Sequence, residues 1–402
     1  MPPDDQLLNE NRLHEKIAAL KLDAVIATSP ENVTYSSGFW ALPQWIRRGP
    51  QAYVLWPAPN RGEPEIVTST ATLDLVADQP VWIENVRRYG DFHVDRAPEP
   101  PHDPASLRQL ELLTTESHRD AIEALAMAIS EAGLARSRIG IDEIGLMPGQ
   151  LGALQALLPD ATFMPAASLF RDVRAVKTEE EIARLSAVAH IAERSIAAAL
   201  DLAEEGSSEI ELARAFHLQT VRDDALPVLG CIGFGERSAL MNVQPSDRTL
   251  RPGDVIRFDV GGRYRHYRAD IARIATFGEP SKEIRRLHRA LLSGVERACE
   301  MIRPGVRVAD VYGATVETVR REGIGHYRRN HVGHGIGLDG YDAPNLTAAS
   351  AEVFEEGMVL CVETPYYEIG RFGLQVEDMV VVRREGVERL MTTSGDLMVV
   401  PQ

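Results

Sequence analysis

Cysteine is scarce in this chain of 402 residues: Cys231, Cys299 and Cys361 are the only three, and no two stand in a CxxC spacing. That count builds neither a disulfide framework nor a thiolate zinc site, and predicts three reduced, mostly buried thiols. Basic charge is also short, with 43 Lys and Arg against 59 Asp and Glu and a net charge of −16. A nucleic-acid or anionic-membrane binder would carry a basic surplus, so the balance argues against both partners. No run approaches the ~18 apolar residues of a membrane span. The opening Met1-Pro-Pro-Asp-Asp lacks the basic and apolar regions of a secretory signal, and a cytoplasmic location is expected. What is present is ordinary for a globular protein: 44% of residues are hydrophobic. At ~100–200 residues per domain, the length suggests two or three domains.

The first part of the chain alternates helical and strand-like segments. Leu13, Ile17, Leu20 and Leu22 recur at roughly helical spacing, then Ala24-Val-Ile-Ala forms a short apolar run and Ser29-Pro-Glu-Asn turns the chain. Tyr53-Val-Leu-Trp, Glu65-Ile-Val-Thr and Arg138-Ile-Gly-Ile-Asp read as strands, with a helix over 117–133. Phe170 to Thr178 reads as the join, which divides the chain into domains 1–170 and 171–402. Thr178-Glu-Glu-Glu then starts a helix with an N-cap and an acidic first turn. Beyond it, helices are expected near 208–221, 281–302 and 308–322, and strands at 255–260, 268–277, 357–364 and 374–383. The fold class that follows is α+β, with helices grouped around an antiparallel sheet.

The second half places carboxylates on apolar strands. Asp259 lies in Val255-Ile-Arg-Phe-Asp-Val, Asp270 in Arg268-Ala-Asp-Ile-Ala, Glu363 in Met358-Val-Leu-Cys-Val-Glu and Glu377 in Leu374-Gln-Val-Glu-Asp. A buried carboxylate is costly unless compensated, and four together repel one another unless cations stand between them. Hard divalent metals with oxygen ligands meet that need. Asn330-His-Val-Gly-His-Gly-Ile-Gly adds two histidines in a glycine-rich segment whose backbone can approach a ligand closely. An imidazole beside the carboxylates makes a mixed nitrogen and oxygen site suited to Mn, Co, Fe or Zn. Two ions about 3.5–4 Å apart could share it and activate a water.

In order, spacing and context these residues resemble the creatinase / aminopeptidase P / prolidase superfamily. Asp259 and Asp270 are eleven apart, His334 sits in Gly333-His-Gly335, and Glu363 and Glu377 are fourteen apart. The resemblance extends through Val176-Lys-Thr-Glu-Glu-Glu-Ile, Arg251-Pro-Gly-Asp-Val and Arg303-Pro-Gly-Val to the N-terminal Leu22-Asp-Ala-Val-Ile and Asn32-Val-Thr-Tyr-Ser-Ser-Gly-Phe. It implies a creatinase-like N-terminal α/β domain followed by a pita-bread catalytic domain, and a homodimer. It implies that Asp259, Asp270, His334, Glu363 and Glu377 ligate two divalent ions, manganese foremost, with Co2+, Fe2+ or Zn2+ as alternatives. Glu363 would also shuttle a proton.

The match departs around that set. Asn242, Asn330 and Tyr341 stand where the family's peptidases place further histidines, and Gln375 where an arginine is common. Asn donates a hydrogen bond but is no acid near neutral pH, and a phenol is a different acid from imidazole. Asn242, Asn330, His331 and Tyr341 are therefore expected to shape an altered substrate pocket, with His331 and Tyr341 as candidate catalytic groups. All four tryptophans fall in the first 82 residues, and Phe39-Trp-Ala-Leu-Pro-Gln-Trp-Ile-Arg-Arg combines aromatics with two arginines. In the resemblance this region reaches the partner's active site, so Trp40, Arg47 and Arg48 are candidate substrate contacts. The functional expectation is a metal-dependent amide hydrolase of the Xaa-Pro dipeptidase type acting on a dipeptide or small molecule. The alternatives are a small-molecule C–N hydrolase related to creatinase or ectoine hydrolase, a metal-dependent lyase, and a non-catalytic binding protein.

Overall fold

The computed structural model describes residues 6–47 and 49–402. The chain divides into two units, Met1–Arg174 and Ala175–Gln402.

The first unit is built on seven strands: β1 (Ala24–Ala27), β2 (Tyr53–Pro57), β3 (Glu65–Ser69), β4 (Asn85–Tyr89), β5 (Ser117–His118), β6 (Arg138–Ile141) and β7 (Thr162–Pro165). Their order is β5-β4-β3-β2-β1-β6-β7, with β2 antiparallel to both neighbours and the remaining pairs parallel. Ala24, Ile26, Tyr53, Leu55 and Val67 pack with Ile122, Leu125 and Ile129 of the helix Ala121–Glu131 into one core. One local expectation needs correction. Ser29-Pro-Glu-Asn is no simple turn, because Pro30 opens a helix running to Ser37; proline suits a first helical position, where its missing N–H costs nothing. The segment read as the join, Phe170 to Thr178, contains the boundary between the two units and begins within the helix Ala167–Ala175.

The second unit carries ten strands: β8 (Leu226–Phe234), β9 (Val255–Tyr264), β10 (Tyr267–Arg268), β11 (Ile271–Phe277), β12 (Gly333–Gly335), β13 (Asp342–Asn345), β14 (Val359–Glu368), β15 (Phe372–Arg383), β16 (Gly386–Arg389) and β17 (Met398–Val400). The central order is β10-β9-β11-β15-β14-β12-β13, and every pair on that path is antiparallel. Helices Lys282–Met301 and Val308–Glu322 supply Leu287, Leu291, Val295, Val311 and Val319 to a core shared with Leu360, Val362, Leu374, Val376 and Val380. The expected N-cap at Thr178 is a full capping box: Glu181 N–H donates to Thr178 Oγ1 at 3.3 Å and Thr178 N–H to Glu181 Oε2 at 2.8 Å. The helix Glu179–Leu200 buries Ile182, Leu185, Val188, Ala189 and Ala192, the stripe read from the sequence.

Candidate metal centre

Strand register gathers the carboxylates. One row of paired Cα positions crosses the sheet through Cys231, Asp259, Ala272, Glu377 and Glu363. Paired residues point to the same face, and residues two apart along a strand join them there. Asp259, Glu377 and Glu363 therefore converge on one side, with Arg257 and Gln375 beside them. Ala272, between Asp259 and Glu377, presents only a methyl group. Asp270 was expected on a strand, but it lies in the short gap between β10 and β11. His334 enters from β12, opposite Cys361. Its glycine neighbours are needed there: a Cβ at Gly333 would stand 2.1 Å from the Cys361 carbonyl oxygen, and one at Gly335 2.2 Å from that of Ala343. Gly333 also has φ +142°, a conformation open to glycine.

The side chains line a cavity of about 190 Å³, together with Met241, Asn242, Arg329, His331, Tyr341, Tyr367 and Gln375. Oxygen atoms of Asp259, Asp270 and Glu377 lie within 4.8 Å of one another. His334 Nδ1–H donates to the Gly335 carbonyl at 3.0 Å, which leaves the Nε2 lone pair facing Asp270 Oδ2 at 3.8 Å. Asp270 Oδ1 is buried and has no hydrogen-bond partner. Three carboxylates, a fourth beside them and a neutral imidazole form the donor set of a divalent cation, and the orphaned Asp270 oxygen is the group such a cation would satisfy. The residues present fit a metal.

Charge accounting agrees. Burial, then repulsion from Asp259 and Glu363, raises the Asp270 carboxyl well above its ordinary value. Burial, then Asp270 and Glu363, does the same to Glu377. Burial lifts Asp259 to about 6 against the pull of Arg257. Glu363 differs: burial pushes it up, but His331 Nδ1 at 3.0 Å from Oε1 and Arg329 Nη2 at 3.9 Å from Oε2 outweigh that push and hold it below its ordinary value. Burial lowers the His334 imidazole, keeping it neutral at neutral pH.

The remaining expected residues are placed unevenly. Tyr341 is half exposed and stacks on the His334 ring, centroids 3.9 Å apart. Partial burial and the charges of Glu363, Asp270, Glu377 and Asp259 push its phenol up, so it keeps its proton and serves as a donor. Asn242 is exposed at the cavity lining. Asn330 is exposed and absent from that lining, while its neighbours Arg329 and His331 are in it, the chain bending at Asn330. In the first unit, Trp40 is half-buried, with its backbone N–H donating to Gln79 Oε1 at 2.7 Å. Arg47 is exposed and, with Glu31 and Gln51, lines a separate cavity of about 140 Å³. Arg48 lies outside the described residues. Cys231 and Cys361 are buried and Cys299 is half-buried, all free.

The sequence reading missed Arg257, whose side chain is fully buried. Its Nη1 donates to Asp259 Oδ2 at 3.1 Å and Gln375 Oε1 at 2.8 Å, and its Nη2 to the carbonyls of Leu240 and Met241 at 2.7 and 2.9 Å. The signal was available, since Arg257 stands two residues before Asp259 on the same strand face. It fills space beside Gln375, where the resemblance led one to expect an arginine.

Comparison with known proteins gives the class. Metallopeptidase family M24 matches residues 183–384, and the Creatinase/Prolidase N-terminal domain matches residues 11–176. The chain belongs to metallopeptidase family M24, in the creatinase / aminopeptidase P / prolidase superfamily, and is a metal-dependent amide hydrolase by that membership. Among curated relatives, an Xaa-Pro dipeptidase of Pyrococcus furiosus is 31% identical over 57% of this chain and 67% of its own length. One of Pyrococcus horikoshii is 29% identical over 59% and 68%. The solved Xaa-Pro dipeptidase from Bacillus anthracis superposes with a TM-score of 0.79 at 23% identity, covering 97% of this chain and 98% of that one. The X-Pro aminopeptidase from Thermotoga maritima gives 0.75 at 24%, covering 98% and 99%. These structures share the fold: a creatinase-like N-terminal domain and a pita-bread domain. No helix among the described residues is long and apolar enough to cross a membrane.

Proposed function

We propose that this chain is a dipeptidase of the Xaa-Pro type, with Asp259, Asp270, His334, Glu363 and Glu377 holding two divalent ions, manganese foremost. The observation that carries the reading is the convergence of four carboxylates and a neutral imidazole on one small cavity with an unpartnered buried oxygen. When bound, the ions lower the pKa of a water and neutralise charge developing on the substrate carbonyl oxygen. Glu363, held ionised, is the group placed to receive a proton at its carboxylate. His331, its Nδ1 3.0 Å from Glu363 Oε1, supports that carboxylate in its ionised form. Tyr341 keeps its phenolic proton and offers a hydrogen bond at the cavity wall. The names of the Pyrococcus relatives support the dipeptide reading.

A second reading, a small-molecule C–N hydrolase, is favoured by Asn242, Asn330 and Tyr341 standing where the resemblance expects histidine. One experiment addresses both. Metal content is measured by elemental analysis on protein purified without chelator and on Asp259→Ala. Manganese-supplemented protein is then assayed against Xaa-Pro dipeptides and small amides, with products identified by mass spectrometry. About two ions per chain, lost in the variant, together with dipeptide cleavage, is the expected result. Metal with cleavage of small amides alone supports the second reading. An elimination product would point to a lyase, and absence of metal uptake to a binding protein.

A further inference from the structure

We infer that Arg329 is the specificity-determining residue of this site: its guanidinium binds the free carboxylate of the residue that follows the scissile bond. The inference rests on the dipeptidase reading above and narrows it to substrates that end one residue after the cleaved amide.

Arg329 lines the cavity, Arg257 stands beside its Asp259 and Gln375, and the two differ in what they have left to give. Arg257 has both terminal nitrogens engaged, as described above, with only its Nε left without a partner. Arg329 hydrogen-bonds through its side chain to no described residue. Its Nε is buried without a partner, and its nearest anion, Glu363 Oε2, is 3.9 Å from Nη2, beyond hydrogen-bond range. The side chain is only 19% exposed, so water does not fully compensate the five donors it carries. The Tyr312 hydroxyl fixes the backbone beneath it by donating to the Arg329 carbonyl. A fixed, half-buried guanidinium with spare donors on a cavity wall is a receptor for an anion.

The surroundings select which anion. The planar fork matches a carboxylate bidentately. A doubly charged phosphate would meet stronger repulsion from the four carboxylates. An α-carboxylate carbon lies two bonds, about 2.5 Å, from the nitrogen of the preceding amide. A carboxylate on Arg329 therefore brings that amide next to Glu363, the proposed proton acceptor. The cavity corresponds to about six water volumes at ~30 Å³ each, room for a short ligand.

The test compares an Xaa-Pro dipeptide with its C-terminal amide on the manganese-supplemented full chain, in wild type, Arg329→Gln and Arg329→Lys. The free acid is expected to be preferred in kcat/KM by about 10- to 100-fold. In Arg329→Gln that preference should vanish, with kcat/KM for the acid falling through a raised KM by a larger factor than kcat/KM for the amide. Arg329→Lys should keep part of it, since charge remains but the fork is lost. A turnover-free arm titrates L-proline and L-prolinamide by calorimetry. Wild type should bind proline, and Arg329→Gln should lose at least tenfold in affinity. If dipeptides are cleaved but the preference survives in Arg329→Gln, or wild type shows none, the anchor is overturned while the dipeptidase reading stands. If proline binding depends on Arg329 but no dipeptide is cleaved, the dipeptidase reading fails while the carboxylate anchor stands. If neither cleavage nor proline binding is found, both fall.

Discussion

Arg257 and Glu181 show what burial does to single charged residues in this chain. Arg257 is held inside the sheet by acceptors on both terminal nitrogens, its Nε alone lacking a partner. Glu181 is buried with less compensation. Its Oε1 accepts from the Tyr267 hydroxyl at 2.9 Å, its Oε2 from Thr178 N–H, and Lys177 stands near, paired with Asp342 at 3.4 Å. Burial wins, and the carboxyl is raised to about 7, with Lys177 and the hydrogen bonds pulling the other way. Between the unfolded value near 4.5 and about 7, the folded chain holds a proton that the unfolded chain has released. Stability contributed by this group is therefore full below about 4.5 and is lost as pH rises toward about 7. The melting temperature of Glu181→Gln should fall less steeply over that window than that of wild type. Gln keeps the capping box and is always neutral, so the two stabilities should separate by about 3 kcal/mol at pH 8. Parallel curves would mean that Glu181 ionises without strain.

Strand parity explains which parts of the site were readable beforehand. Asp259 and Glu377 sit in apolar strands whose alternation turns both toward one face, so chain order, spacing and a period of two sufficed to single them out. His334 was legible through its flanking glycines, whose reason is steric: the Cys361 and Ala343 carbonyls pass too close for a Cβ. Asp270 was found by spacing, although its strand placement was off by one residue. Neighbouring positions were harder. Asn330 and Arg329 are neighbours in a bend outside any strand, and sequence alone did not say which of the two turned inward. Nor does sequence give cross-strand register, which is what places the methyl of Ala272 between Asp259 and Glu377. Ala272→Val should add bulk between those two carboxylates and cut metal content well below that of wild type. Ala275, three residues on and also buried, faces the other side of β11. Ala275→Val should cost a comparable ~1–3 kcal/mol in stability from overpacking yet leave metal content unchanged. Equal metal loss in both variants would show that general loosening of the strand, not the gap at Ala272, controls the site.

At the scale of the whole molecule, each unit has a hydrophobic core of its own, and the candidate ligands all belong to the second. Those ligands are drawn from β9, the gap before β11, β12, β14 and β15, so bringing them together closes long loops of chain. Without a cation, mutual repulsion among buried carboxylates opposes that closure, and the raised values of Asp270 and Glu377 record the opposition. A ligand that binds only the closed arrangement stabilises it by mass action, about 2.7 kcal/mol at a free concentration of 100 times Kd. Hydrogen exchange read by mass spectrometry, with manganese or with chelator, should therefore show slower exchange on metal addition in 255–277, 333–335 and 359–383. Peptides covering 24–27, 53–57 and 65–69 in the first unit should exchange at unchanged rates. Asp259→Ala should abolish the protection without altering the chelated pattern of the first unit. Uniform slowing across both units would mean that the cation acts on the chain as a whole, and the carboxylate cluster would lose its standing as the place where binding energy enters the fold.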